Sequence, residues 1–198
     1  MPEPWPAELA SRLTPAGDPF DRTVRHAAVA VVLQGLDNPG ILFMQRAHRE
    51  GDRWSGHVAF PGGHLEDYDA DLVAGATRET VEEVGVDLAA VARPLGRLPA
   101  MQARARGAKL PLWVTPVVFE QFEPTDPVLG PEASAAFRVP LESLLSGELA
   151  GEKRIEGPDK TLRYPAWQFE QWTIWGMTYH ILDGLLAHFH AMRETPGW

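Results

Sequence analysis

Phe60-Pro61-Gly62-Gly63 and, fourteen residues on, Arg78-Glu79-Thr80-Val81-Glu82-Glu83-Val84-Gly85-Val86 form the stretch on which the reading of this chain turns. Between them, Asp69 to Gly85 has the pattern of a helix: Asp69 or Asp71 is placed to cap its start, and Gly85 to stop it. On a wheel turning about 100° per residue, with Glu79 at zero, Glu82 falls at about −60° and Glu83 at about +40°. The three carboxylates therefore share one face. Ala70, Val73, Thr77, Val81 and Val84 lie opposite, centred at about 160°, which predicts that this second face packs into the core.

A solvated acidic face is the common fate of such a charge cluster, but three features oppose that reading here. Glu79 and Glu83 are like charges at i,i+4, which destabilises a helix by about 0.2–0.5 kcal/mol. They stand in its carboxyl-terminal half, where the macrodipole disfavours anions. Only Arg78 is placed to offset them locally, and an arginine ahead of Glu82 is the poorer order. Oxygen-only clusters of this kind suit Mg²⁺, a cation that keeps several waters and is shared with substrate phosphates.

Outward from this segment, residues 1–22 read as a proline-rich arm with a helical turn over Glu8–Leu13, and residues 23–194 as one domain. Val24–Leu33 and Ile41–Arg46 are dense apolar runs joined by Asp37-Asn38-Pro39-Gly40, the signature of a hairpin. Leu95–Met101 and Leu112–Phe119 are strand candidates, with Pro111 and Pro116 confining them to edges or bulges. Val139–Leu145 reads as a short helix, Lys160–Trp172 as a hairpin region and Trp175–Met192 as an amphipathic helix. Strands lead, a helix sits in the middle and strands return, which predicts a mixed α/β or α+β single domain.

Composition narrows the functional classes. The 198 residues carry a net charge of −9, which argues against nucleic-acid polymers and anionic membranes as partners. The absence of cysteine excludes disulfides, thiolate metal sites and cysteine nucleophiles. No apolar run approaches the roughly 20 residues that span a bilayer, and the amino end lacks the basic start and apolar core of a signal peptide. A cytoplasmic protein is the expectation.

The glycine pair followed by Arg-Glu…Glu-Glu…Gly resembles the Nudix box of the Nudix hydrolases. Asp69 stands where that pattern has its first Glu, eight residues instead of seven precede Arg78, and Thr80 occupies an aliphatic position. The resemblance implies an α/β/α sandwich with a mixed β-sheet and Mg²⁺-dependent cleavage of a nucleoside diphosphate derivative, with Mn²⁺ as the alternative metal. Carried over by position, Glu79, Glu82, Glu83 and the carbonyl of Gly62 are implied as metal ligands. Arg78 is implied to orient the carboxylates, and Glu82 or Glu83 to serve as base, a choice the family pattern leaves open.

The segment ahead of the box is similar to the signature of coenzyme A pyrophosphatases. Arg46, Ala47, Gly56 and Phe60-Pro61-Gly62-Gly63 fit it, while Leu42-Phe43-Met44 replaces its Leu-Leu-Thr start and Arg53 is displaced by one residue. Trp175-Gly176-Met177-Thr178 is also similar to that group. The implied substrate is a small nucleotide-containing diphosphate, coenzyme A or an acyl-coenzyme A, bound by Arg46, Arg53 and Gly63. ADP-ribose, NADH or a nucleotide sugar is the alternative, then a non-catalytic nucleotide-binding module. Neither a nucleic-acid polymer nor a membrane is expected as a partner, and a homodimer is compatible with the pattern. Glu132, His57 and His64 are weaker candidates for the site. Trp172 and Trp175 read as core or interface, and His180, His188 and His190 as helix residues without a matching carboxylate set.

Overall fold

The sheet is built around β1 (His26–Gln34), whose Ala28, Ala30 and Val32 face one side and Val31 and Leu33 the other, all fully buried. Burial on both faces explains the unbroken apolar run. The computed structural model describes residues 5–35, 39–52, 54–105, 108–157 and 160–194, so Asp37, Asn38 and Arg53 lie outside the described residues. One side of β1 is lined by the parallel strand β7 (Ala108–Gln121), from His26↔Trp113 to Gln34↔Gln121. Its other side is shared. β2 (Gly40–Arg46) pairs antiparallel with its end, and β4 (Gly62–His64) with its start through Ala27↔His64, Ala28↔Gly63 and Val29↔Gly62. The box glycines are thus set into the sheet itself.

β3 (Val58–Ala59) and β8 (Ala133–Pro140) pair with β2, while β5 (Ala92–Arg97) and β6 (Met101–Ala105) follow one another along β7. The result is an eight-stranded mixed sheet. A second antiparallel sheet comprises β9 (Ala150–Glu156), β10 (Thr161–Phe169) and β11 (Trp172–Trp175). α2 (Leu72–Val84) and α3 (Leu88–Val91) cover one face of the large sheet, packing on Ala30, Val32, Leu42 and Phe119. α1 (Trp5–Arg12), α4 (Leu141–Leu145) and α5 (Gly176–Arg193) join the small sheet over the opposite face, around Val31, Leu33, Phe43 and Val118. This is the expected mixed α/β sandwich. Among the described residues no helix is long and apolar enough to cross a membrane.

Several local expectations are corrected. α2 starts at Leu72, with Asp71 as its cap through a 2.8 Å bond from the Ala74 N–H, so Asp69 does not cap it. Its buried residues, Leu72, Gly75, Ala76, Thr80, Glu83 and Val84, centre at about 50° on the wheel instead of about 160°. Val81, expected in the core, is 43% exposed. Thr80 fills an apolar position without an orphaned hydroxyl, because Oγ1 donates to the Ala76 carbonyl at 2.7 Å. Pro116 stands in the interior strand β7 and not at an edge; its missing N–H falls where the neighbour changes from β5 to β6, near Leu98, whose N–H donates to the Pro116 carbonyl. Pro111 sits beside the register shift between β6 and β7, the bulge its ring calls for. β8 and β9 have no counterpart in the sequence reading. Within the segment 1–22, α1 is packed into the core, with Trp5 and Leu9 buried and Trp5 6.0 Å from the Phe189 ring.

Candidate active site

The site forms where α2 crosses β4. Gly62 sits at φ 146° with its backbone pressed on β1, and a Cβ there would meet the Ala28 carbonyl and lie 2.5 Å from Val29 Cα. A Cβ on Gly63 would lie 2.5 Å from the Glu79 carboxyl. Glycine at both positions lets strand, helix and carboxylate close on one another.

Glu83 is 2% exposed, and its Oε2 accepts the Gly62 N–H at 2.7 Å. Burial pushes its carboxyl up to about 8; the Gly62 N–H and the Arg46 charge act against this, while the Glu79 and Glu132 charges add to it. Among the described residues Glu83 makes no ion pair. Burial likewise raises Glu79 above the ordinary carboxylate range, opposed by a 2.9 Å bond from Arg78. Glu82 faces outward with 57% of its side chain exposed and meets Arg78 at 3.3 Å.

Arg78 organises the cluster. Its Nε and Nη2 hold the Asp69 carboxylate at 3.2 and 2.9 Å, Nη1 reaches Glu79 and Glu82, and Nη2 also donates to the His64 carbonyl at 3.0 Å. The planar fork supports this many-sided grip. Asp69 is 5% exposed, and the Arg78 bonds hold it below its ordinary range despite burial. Among the described residues no three acidic or imidazole side chains already converge as a metal cage. Arg78 draws Glu79 and Glu82 toward itself, while Glu83 is turned to Gly62.

The candidates outside the box divide. Arg46 lies near enough for its charge to act on Glu83, and it pairs with Asp52 at 2.9 Å. Its Nε is buried without a partner among the described residues. Glu132 is brought in by the loop between β7 and β8, which is tied to the end of α2 by Val128 N–H to Val84 carbonyl and Gly130 N–H to Glu83 carbonyl, at 2.9 and 2.8 Å. Its charge acts on both Glu79 and Glu83, and its carboxylate pairs with Arg49 at 3.2 Å. His64 joins through its backbone carbonyl, with its side chain exposed. His57 lies apart, its ring 5.0 Å from that of Trp175.

The sequence reading missed Asp69 as the partner of the Arg78 fork. Its position in the box pattern was the available signal. What the arrangement supplies is a buried Glu83 without an ion pair among the described residues, a half-buried Glu79 held by Arg78, an arginine bonded to five oxygens of four residues, and a cationic approach from Arg46.

The NUDIX domain model matches residues 24–158. The chain is 35% identical over 165 residues to an uncharacterised Nudix hydrolase, NudL, of Escherichia coli O1:K1 / APEC, covering 81% of each protein. Its fold is similar to a binary complex of the Ap4A hydrolase of C. elegans, with TM-score 0.54 and 18% identity over 86% of this chain and 98% of that one. It is also similar to a MutT/nudix family protein of Enterococcus faecalis, with TM-score 0.52 and 18% identity over 90% and 67% of the two chains. Nudix hydrolases use divalent metal ions, which accords with a buried Glu83 that makes no ion pair among the described residues. With box, sheet and relatives in agreement, the chain belongs to the Nudix family of pyrophosphohydrolases.

Proposed function

We propose that this enzyme hydrolyses the diphosphate linkage of coenzyme A or an acyl-coenzyme A with Mg²⁺ as its metal. One observation carries the catalytic part: Glu79 and Glu83, on one turn of α2, are packed against Gly63 and Gly62, with both carboxyls raised by burial and by neighbouring carboxylates, Glu83 by Glu79 and Glu132 and Glu79 by Glu82 and Glu132. A divalent cation would remove that cost, and the donor set is all oxygen, as Mg²⁺ prefers. Glu79, Glu82, Glu83 and the Gly62 carbonyl would hold it. When bound, Mg²⁺ polarises phosphoryl oxygens as a Lewis acid.

The chain's own residues supply the rest. Arg78, gripped by Asp69, fixes the direction of Glu79 and Glu82. Arg46 and Arg53 neutralise substrate phosphate charge, and the backbone of Gly63 lets that phosphate approach closely. Glu82 or Glu83 takes the proton of the attacking water, with Glu132 outside the box as the alternative base; of the first two, Glu82 is the one that reaches solvent. Water adds to one phosphorus, the bridging P–O bond breaks, and two phosphate monoesters leave; from coenzyme A these are 3′,5′-ADP and 4′-phosphopantetheine.

The substrate assignment rests on the resemblance of residues 42–63 to coenzyme A pyrophosphatases. The test is turnover of coenzyme A, acyl-coenzyme A, ADP-ribose, NADH and a nucleotide sugar with Mg²⁺ and with Mn²⁺. Coenzyme A or its acyl form should give the highest kcat/KM, and Glu83→Gln should lower turnover at least tenfold. Preference for ADP-ribose, NADH or a nucleotide sugar overturns the substrate. A variant as active as the parent overturns the role of Glu83.

A further inference from the structure

On the side of the large sheet that the small sheet covers lies a cavity of about 180 Å³, walled by Gln45, His57, Lys153, Trp172 and Trp175. It opens between β11, the edge of β9 and the turn leading into β3. Its volume is below the roughly 300–1,000 Å³ of pockets that enclose a whole drug-sized ligand. At about 30 Å³ per water it equals the room of about six waters, so it accepts one group of a larger molecule. His57 is five residues ahead of Gly62, a span of at most about 18 Å even if fully extended. A single small molecule can therefore reach both places.

One wall of the cavity carries a single cation, Lys153. On β9, Glu152 lies within 4 Å of two arginines, 3.5 Å from Arg154 and 3.7 Å from Arg163. Lys153 is the next residue along the strand and so points to the opposite face. Among the described residues Lys153 makes no ion pair. His57 is held neutral at physiological pH by burial, with the Lys153 charge pushing the same way and Asp52 against it. A neutral imidazole supplies one donor and one acceptor beside the ammonium.

The Trp175-Gly176-Met177-Thr178 segment fixes this wall in place. Gly176 takes φ 66°, which turns the chain from β11 into α5. Thr178 Oγ1 then donates to the Val58 carbonyl at 3.1 Å, fastening α5 to β3. Trp175 is thereby set against both the His57 and Tyr164 rings, at 5.0 and 5.6 Å. Trp172 and Trp175 thus line a cavity, where the sequence suggested core or interface.

We propose that this cavity is a specificity subsite that binds a second anionic group of the substrate, a phosphomonoester remote from the diphosphate that is cleaved, with Lys153 as its counter-charge and His57 and Gln45 as hydrogen-bond partners. The inference rests on the proposed function for its link to catalysis, but not for binding itself. The experiment therefore reads binding first. Calorimetry of the full chain with adenosine 3′,5′-bisphosphate and with adenosine 5′-monophosphate should show the bisphosphate at least tenfold tighter. Lys153→Ala should erase that difference, and Lys153→Arg should keep most of it. Turnover should follow: KM for coenzyme A rises at least tenfold in Lys153→Ala, KM for 3′-dephospho-coenzyme A changes less than twofold, and kcat is unchanged for both. Equal affinity of the wild type for the two nucleotides, or equal weakening of both by Lys153→Ala, overturns the subsite. If the nucleotide difference appears and depends on Lys153 while no coenzyme A is hydrolysed, the subsite stands and the substrate assignment falls.

Discussion

At Gly62 and Gly63 one added methyl group has two different costs, and the difference separates folding from catalysis. A Cβ on Gly62 would strike the backbone of β1, which cannot yield, and the residue's φ of 146° is strained for any L side chain. Gly62→Ala should therefore cost about 1–3 kcal/mol of stability, read as a fall in the urea midpoint. A Cβ on Gly63 would strike only the carboxyl end of Glu79, a side chain that can swing away. Gly63→Ala should change stability by less than about 1 kcal/mol and still lower kcat/KM at least tenfold, because the displaced carboxylate is the one Arg78 holds. A Gly63→Ala enzyme of full activity would show that the position of Glu79 is immaterial.

The helix that carries the carboxylates packs by a face that hydropathy undercounts. Gly75, which packs on Leu65 and Asp69, and Ala76 add little apolar signal, Thr80 and Glu83 count as polar, and yet all four are buried. Val81 counts as apolar and faces solvent. Val81→Lys should accordingly cost less than about 0.5 kcal/mol, whereas Ala76→Lys, forcing a charge into a closed interface, should cost about 3 kcal/mol or more by denaturant titration. Similar losses for both would mean that the helix packs by the other face. The same undercounting explains what was legible in the sequence. The carboxylate cluster, its cap and stop residues and the glycine pair are local patterns, and they led to the site. The direction of α2, the Arg78–Asp69 fork and the approach of Glu132 depend on contacts between distant segments. β8 lacks clean alternation, since most of its residues are half-buried and its Phe137 stacks on both Phe43 of the core, 6.0 Å away, and Trp172, 4.7 Å away. β9 is charged along most of its length, so neither its strand nor the place of Lys153 shows in the apolar pattern.

Across the whole molecule a net charge of −9 makes carboxylate burial a global matter, because each further ionised group adds to self-repulsion. Glu83 is pushed up to about 8 by burial, and Glu79 is raised in the same direction. The folded state therefore holds protons that the unfolded chain has lost above the ordinary value of 4.5. Stability from this source is full below that value and drains away as pH rises through about 8. Asp69 and Asp52 are lowered from 3.8; their contribution is present above that value, is lost in acid and is flat across this window. His57 and His188 are lowered from 6.5 and work in the opposite sense, adding stability as pH rises toward that value. Comparing wild type with Glu83→Gln cancels the histidines, provided both proteins are free of metal. The wild-type Tm minus the Glu83→Gln Tm should become steadily more negative from pH 5 to pH 8. Adding Mg²⁺ at pH 8 should raise the wild-type Tm and leave that of Glu83→Gln nearly unmoved, because a ligand stabilises only the state that binds it. A difference that stays constant with pH would show that Glu83 is ionised in the folded protein throughout. A Mg²⁺ response equal in both proteins would remove Glu83 from the metal site.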